Sequence, residues 1–154
     1  MNWFFDLISN EFFIIGLSSW AIAQVLKTII HASIYKKLEW ERMFGDGGMP
    51  SGHSATVTSV AATSVLVFGL DSFEFAIAAT LAIIVCHDAM GVRRETGKQA
   101  TIIIEMRELL EAMTKEDLPE AKLKEFVGHT PLQVAAGIII GIANACFMHF
   151  VLYA

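Results

Sequence analysis

The sequence is poor in charged residues. Asp, Glu, Lys and Arg make up 18% of its 154 residues, whereas hydrophobic residues reach 55%; a soluble domain has about 25% charged residues. Acidic residues outnumber basic ones by 16 to 11, and the net charge of -5 gives no overall attraction to a phosphate backbone. These deficits argue against a disordered segment or a nucleic-acid-binding protein, and any phosphate chemistry requires a local basic cluster.

Cysteine is equally scarce. Cys86 and Cys146 both lie in apolar runs, which predicts buried thiols rather than a disulfide-stapled secreted module. No Lys or Arg occurs in Met1–Leu7, and no small-residue cleavage site follows, so no secretory signal peptide is expected. Residues 1–154 are predicted to form a single membrane domain.

Four apolar stretches fill most of the chain. A membrane-spanning helix needs roughly 20 apolar residues, and the stretches predict spans at about 12–30, 52–70, 73–89 and 132–153, with an insert at about 90–128. The expected fold is therefore an all-α, integral membrane helical bundle with four spanning helices. A soluble helical bundle is the alternative, but the run Ala76–Cys86 lacks the polar face such a helix needs.

The basic residues indicate the orientation of these spans. Three lie in the loop 32–49, seven lie in the insert, and the last, Lys27, is near the end of the first span. The positive-inside rule then predicts cytoplasmic loops and external termini in the cell membrane.

The insert itself has helical periodicity. Apolar residues recur at helical spacing, which predicts a cytoplasmic amphipathic helix on the membrane surface or capping the bundle: Ile102, Met106, Leu109, Leu110 and Met113. A short charged helix is expected at about 120–127, ended by Gly128.

Three segments carry residues suited to chemistry. The first, Gly45–Ser54, is a glycine-rich turn that enters the second span, and its backbone N–H groups could meet an anion together with Ser51 and His53. The alternative for this segment is an ordinary loop with an N-capping serine.

The second segment is Asp88–Gln99, at the end of the third span. Its adjacent Arg93 and Arg94 suit bidentate phosphate recognition, although anchoring to lipid headgroups is the alternative. Asp88 is expected to pair with one of them.

The third segment, Gly128–Gly137, enters the fourth span. The four-span topology places ionisable residues from separate parts of the sequence at one membrane face: Lys27, His53, Asp88, Arg93, Arg94 and His129. The other histidines, His31, His87 and His149, are expected to be structural. A metal site built from His87, Asp88 and Glu95 is disfavoured because the three do not share one helix face.

Two of these motifs resemble a known superfamily. Pro50-Ser51-Gly52-His53 and, downstream, His129-x-Pro131-x-x-Val134-x-Ala136-Gly137 resemble the type 2 phosphatidic acid phosphatases, whose superfamily includes the vanadium haloperoxidases. With the Asp88–Ala100 block between them, the three segments resemble its small divergent membrane branch.

The resemblance implies a metal-independent phosphatase without a cofactor, acting on a membrane lipid phosphate or diphosphate through a phosphohistidine. His129 would be the nucleophile and His53 the general acid. Ser51, the N–H of Gly52, Lys27 and an arginine, Arg93 or Arg94, would hold the phosphoryl oxygens. A haloperoxidase is disfavoured because no oxidant pocket is evident.

Some positions depart from the family pattern. Ile34, Tyr35 and Leu123 stand where the motifs have Arg, Pro and Arg, and Gln133 stands where an acid follows the histidine. Asp88, Glu95 or Glu125 could replace that acid. The alternative function is a non-catalytic membrane module that binds anionic headgroups or a protein partner.

Small residues in the second and third spans suit close helix contacts, within the chain or in a homodimer: Ala61, Ala62, Ser64, Ala78, Ala79 and Ala82.

Overall fold

The protein is helical throughout the residues that its structure, a computed structural model, describes: 2–37, 47–115 and 128–153. The helices are α1 (Trp3–Ile8), α2 (Glu11–Tyr35), α3 (Gly52–Phe68), α4 (Phe73–Met90), α5 (Val92–Thr114) and α6 (Pro131–Met148), and a π-helical turn at His149–Tyr153 follows. The predicted all-α class is confirmed. The charged helix expected at 120–127 lies outside the described residues.

Three helical segments are long and apolar enough to cross a membrane. They are α2, the run Phe73–Thr114 that joins α4 to α5, and the run Pro131–Tyr153. Helix α3 is apolar but has only 17 residues, so the count of four spans stays a prediction. Helix α2 continues five residues beyond the predicted end, to Tyr35, and Lys36 then ends it in a left-handed conformation.

Helix α3 is the centre of the bundle, because it packs against α2, α4 and α6. Glycines allow the closest approaches. A Cβ on Gly137 would lie 3.0 Å from Ser54 Cβ, and one on Gly141 would lie 3.0 Å from the backbone N of Ser59. This Gly-x-x-x-Gly spacing on α6 brings two backbones together, as is common between membrane helices.

Much of the buried interior is polar. Hydroxyl groups of α3 bond to their own helix, as Thr63 Oγ1 does to the carbonyl of Ser59 at 2.9 Å. Asn144 on α6 donates from Nδ2 to Ser18 Oγ at 2.9 Å and to Ser19 Oγ at 2.8 Å on α2. A bilayer offers no water to such groups, so these bonds hold α6 and α2 together at depth.

The two ends of the bundle differ in chemistry. At one end, which we name the far end, Phe12 stacks on Phe68 with ring centroids 5.5 Å apart, and Glu11 contacts His149 at 2.8 Å. At the other, the site end, the carboxyl end of α4 meets the amino ends of α3 and α6 beside the middle of α2, at Trp20 and Lys27. His149 is thus remote from the other candidate residues.

Helix α5 extends the chain away from the bundle. It follows α4 directly after Gly91, and its described contacts are chiefly with α4. The helix predicted from its apolar spacing is present, and its apolar side chains are exposed: Ile102, Met106, Leu109, Leu110 and Met113. In α4, by contrast, Ala78 and Ala82 are buried within the chain's own bundle.

Candidate active site at the site end of the bundle

The rings of His53 and His129 lie together at the site end. Their centroids are 6.0 Å apart and their planes are inclined by 80°, an edge-to-face arrangement. His53 is in the first turn of α3, and His129 precedes α6 and is only 2% exposed. Folding therefore brings together two imidazoles that are 76 positions apart in the sequence.

Three helix ends position His129. Its backbone N–H donates to the carbonyl of Ala89 at 2.9 Å; Ala89 is in the last turn of α4, where carbonyls lack partners within the helix. Gly128 has φ +91°, and a Cβ there would lie 2.5 Å from Arg94 Cα. Only glycine allows this approach to the start of α5, so Gly128 fixes the path of the chain into His129.

Gln133, which stands at the acid position of the family motif, caps a helix. Its Oε1 accepts from the N–H of Thr130 at 2.9 Å, and its own N–H donates to Thr130 Oγ1 at 3.4 Å. This reciprocal pair is a capping box at the start of α6. The carbonyl of Gln133 also accepts from the N–H of Ser51 at 3.0 Å, which ties α6 to α3.

Ser51 is the N-cap of α3. Its Oγ accepts from the N–H of Ser54 at 3.3 Å and from Ser54 Oγ at 3.0 Å, and the residue is fully buried. Gly52 is buried against Trp20, since a Cβ would lie 3.3 Å from Trp20 Cδ1. Both residues thus fix the first turn of α3, which carries His53.

The adjacent arginines have different surroundings. Arg93 donates from Nε to Asp88 Oδ2 at 2.7 Å, which is the pairing expected from the sequence. Arg94 lines a cavity instead, and its side chain makes no ion pair or hydrogen bond among the residues that the structure describes.

This cavity, which we name the α5–α6 cavity, has a volume of about 380 Å³. Its walls come from the glycine-rich loop, α5 and the entry to α6: Gly47, Gly48, Arg94, Gly97, Lys98, Thr101, Gly128, His129, Thr130 and Gln133. No carboxylate is among these residues. Lys98 and Thr101 are not among the site residues predicted from the sequence, although they have the i, i+4, i+7 spacing of one helix face with Arg94.

Lys27 lies behind the glycine-rich loop. The residue is 5% exposed, and a Cβ on Gly48 would lie 3.3 Å from its Cγ and 3.4 Å from its Cδ. Gly48 has φ +83°, so its backbone can lie directly on the lysine stem while it also lines the cavity. Lys27 is thereby held at the site end.

The remaining histidines and the carboxylates do not form a metal site within the described residues. No group of three His, Cys, Asp or Glu side chains there could hold a metal ion, and Glu95 instead pairs with Lys98 at 2.6 Å. His87 is exposed at the end of α4, and His31 stacks on Tyr35. Glu125 lies outside the described residues.

Comparison with known proteins agrees with the resemblance seen in the motifs. The family described as the divergent PAP2 family matches residues 8–144. The chain is 39% identical over 146 residues to the uncharacterized membrane protein YuiD of Bacillus subtilis (strain 168), a match that covers 89% of this chain and 92% of the relative. No solved structure matches. The chain therefore belongs to the divergent PAP2 family of membrane proteins.

Proposed function

We propose that the protein is a metal-independent phosphatase that hydrolyses a lipid phosphate or diphosphate at the membrane surface. The juxtaposition of His53 and His129 beside a cationic cavity carries this proposal. Phosphoryl transfer depends mainly on positioning and on neutralising charge, and the site end supplies two imidazoles with Arg94 and Lys98 close by.

The reaction would take two steps. A ring nitrogen of His129 attacks phosphorus, the bond from phosphorus to the leaving oxygen breaks, and His53 donates a proton to that oxygen. Water then attacks the phosphohistidine and gives its proton to His53, and the P–N bond breaks to release phosphate and restore His129. Each imidazole returns to its starting protonation state, so no other reactant is needed.

Backbone and cationic groups would hold the phosphoryl oxygens. Arg94 lines the cavity and suits bidentate binding, and Lys27 lies behind the loop that carries Gly48. We assign Arg93 and Asp88 a positioning role, since their ion pair bridges the junction between α4 and α5 beside Ala89. Ser51 and Gly52 support the site by starting α3 beneath it.

The site would face the cytoplasm. In this arrangement α2, α3, α4 and α6 all cross the membrane, both termini are outside, and α5 lies along the inner surface with its apolar side chains in the lipid. The homodimer expected from small residues plays no part in the proposal, because Ala78 and Ala82 are buried within one chain.

The test uses purified protein in liposomes and a panel of lipid monophosphates and diphosphates. We expect phosphate release that is lost in His129→Ala and retained in the control His87→Ala, which alters an exposed histidine outside the cavity. A phosphoenzyme that is labile to acid and stable to base should be trapped when the wild-type protein is quenched during turnover, and should be absent in His129→Ala. Turnover that survives His129→Ala would remove the nucleophile assignment.

The second candidate function is a non-catalytic module that binds anionic headgroups. The capping role of Gln133 favours it, because the residue at the family's acid position is engaged by Thr130. Binding of the lipid phosphates without turnover across the whole panel would support this function over the first.

A further inference from the structure

We propose that the α5–α6 cavity has a second anion subsite, formed by Lys98 and Thr101, and that the headgroup it takes is a diphosphate. The inference rests on the proposed function for the identity of the reacting phosphoryl group at His129. It adds the class of substrate, which neither the motifs nor the family description specifies.

One face of α5 forms a wall of the cavity, and His129 lines the same cavity. The turn at Gly128 brings Arg94 next to the nucleophile, and Lys98 and Thr101 follow on the same face of the helix. Four residues of an α-helix rise about 6 Å. Lys98 therefore lies about one helical turn beyond Arg94 along α5. We infer that one phosphoryl group at His129 would use Arg94 and leave the part of the cavity beside Lys98 and Thr101 free for a second one.

The charge of the cavity suits a polyanion. Among the described residues that line it, Arg94 and Lys98 are cationic and none is Asp or Glu. Four glycines, which have no side chain, also line the cavity: Gly47, Gly48, Gly97 and Gly128. They leave room for phosphoryl oxygens to contact the backbone. A volume of about 380 Å³ falls in the usual range of small-ligand pockets, which is about 300–1,000 Å³.

Lys98 can leave its present partner at little cost. Its ion pair with Glu95 joins neighbouring turns of α5, and the two side chains are 55% and 59% exposed. Exposed pairs of this kind are weak, so a phosphoryl group in the cavity can replace the carboxylate. Thr101 adds a hydroxyl one turn further along, now bonded to the carbonyl of Gly97 at 3.3 Å.

Binding measurements on the full chain in nanodiscs test the subsite without requiring turnover. The probes are methylenediphosphonate, which cannot be hydrolysed at its bridging carbon, and inorganic phosphate. We expect the diphosphonate to bind about tenfold more tightly or better, since one charge-assisted contact is worth about that factor. Lys98→Ala should lower affinity for diphosphonate about tenfold more than affinity for phosphate.

Arg107→Ala is the matched control, because Arg107 is also a cation of α5 that pairs with a glutamate, Glu111, at 2.8 Å, and it does not line the cavity. It should preserve the preference for diphosphonate. Thr101→Val is a second variant, expected to weaken the same preference by a smaller factor. Equal affinity for the two probes, or an equal loss for both in Lys98→Ala, would overturn the subsite.

A turnover arm separates this inference from the proposed function and compares sources of the headgroup. Prenyl diphosphate, prenyl phosphate and inorganic pyrophosphate are offered to the same protein in liposomes, and the lipid diphosphate should have the highest kcat/KM. Phosphate release that persists in His129→Ala contradicts the proposed function while the binding preference can still stand. Equal affinity for diphosphonate and phosphate, together with phosphate release that depends on His129, would contradict the subsite but not the proposed function.

Discussion

Asp88 and Arg93 form an ion pair across the junction of α4 and α5, with Arg93 Nε 2.7 Å from Asp88 Oδ2. The pair flanks Ala89, whose carbonyl accepts the N–H of His129. It therefore links the end of one helix and the start of the next at the point where the proposed nucleophile is attached.

We expect Asp88→Asn and Arg93→Gln to lower phosphate release by similar factors, within about tenfold, and the double variant to be no worse than either single one. Residues that act through one contact are non-additive in this way. Both side chains are about two-fifths exposed, so each change should cost at most about 1 kcal/mol of stability. Steady-state rates and thermal unfolding of the three variants provide the measurement.

A direct role of Asp88 on the imidazole would give a different result. Replacing the carboxylate that supports a catalytic histidine with an amide costs about 10⁴-fold in a Ser-His-Asp triad. A loss of that size in Asp88→Asn, with a small one in Arg93→Gln, would show that Asp88 replaces the family's acid instead of positioning the helix junction.

Gly48 allows a second prediction, about the contact between the glycine-rich loop and Lys27. Gly48→Ala forces a side chain into a left-handed conformation, which costs about 1–2 kcal/mol, and places a methyl group 3.3 Å from Lys27 Cγ. We expect affinity for inorganic phosphate to fall about tenfold, equivalent to about 1.4 kcal/mol, because both the loop and the lysine must shift. Calorimetric titration of the protein in nanodiscs measures this affinity.

Gly69→Ala provides the control for that change. Gly69 has φ +87°, close to the φ of +83° at Gly48, but it lies in the turn between α3 and α4 at the far end. Gly69 has ψ 168°, a conformation that is nearly restricted to glycine. The backbone cost should therefore be at least as large as at Gly48, and phosphate affinity should stay at the wild-type value. Equal losses of affinity in the two variants would mean that general destabilisation, and not the contact with Lys27, explains the result.

Asn144 gives a prediction about stability. Asn144→Leu keeps the number and branching of the side-chain heavy atoms but removes the bonds to Ser18 and Ser19. Interhelical hydrogen bonds of this kind contribute about 0.6–2 kcal/mol, and the variant should unfold in denaturing detergent with a loss in that range. A cycle with Ser18→Ala/Ser19→Ala isolates the coupling, and fully additive losses would contradict the observed contacts.

The apolar pattern of the sequence was sufficient to predict the five longer helices, but not the short helix α1 or the packing of the helices against one another. Apolar runs located α2, α3, α4 and α6, and helical spacing located α5. The glycines Gly128, Gly137 and Gly141 are where the fold brings backbones together, and such long-range approaches leave no periodic signal in a single sequence. The end of α2 at Tyr35 was missed because an apolar run does not show where a helix leaves the membrane.

The candidate site was also predictable only in part, because the sequence shows the topology but not the local geometry. The topology of alternating spans was enough to bring His53 and His129 to one end. The topology was not enough to predict which arginine lines the cavity. Arg93 and Arg94 are adjacent, and only the ion pair of Arg93 with Asp88 distinguishes them. The role of Gln133 depends on the capping geometry at Thr130, and the same Thr-x-x-Gln spacing could have identified that cap from the sequence alone.

The number of membrane crossings provides the last prediction, and the packing of α3 on α2 is its basis. Gly52 lies against Trp20, Gly16 against Val60, and Phe12 against Phe68. These contacts run in opposite sequence directions along both helices, so α3 lies antiparallel beside the amino-terminal half of α2. We therefore expect α3 to cross the bilayer together with this part of α2.

The length of α3 is consistent with this conclusion. Its 17 residues span about 26 Å at 1.5 Å per residue, somewhat less than a hydrocarbon core of about 30 Å. Three helices pack around α3: α2, α4 and α6. Its ends therefore contact protein instead of lipid, and a helix shorter than the hydrocarbon core can still cross the membrane.

Single-cysteine labelling in cells tests the crossing and its direction. In a Cys86→Ala/Cys146→Ala background, Asp71→Cys reports the turn between α3 and α4, and Glu105→Cys reports α5; both positions are exposed. A membrane-impermeant maleimide should label Asp71→Cys in intact cells and Glu105→Cys only after permeabilisation. Labelling of both from one side would contradict the crossing of α4, and the reverse pattern would place the histidine pair outside the cell, because α5 and the site end share the junction at Gly91.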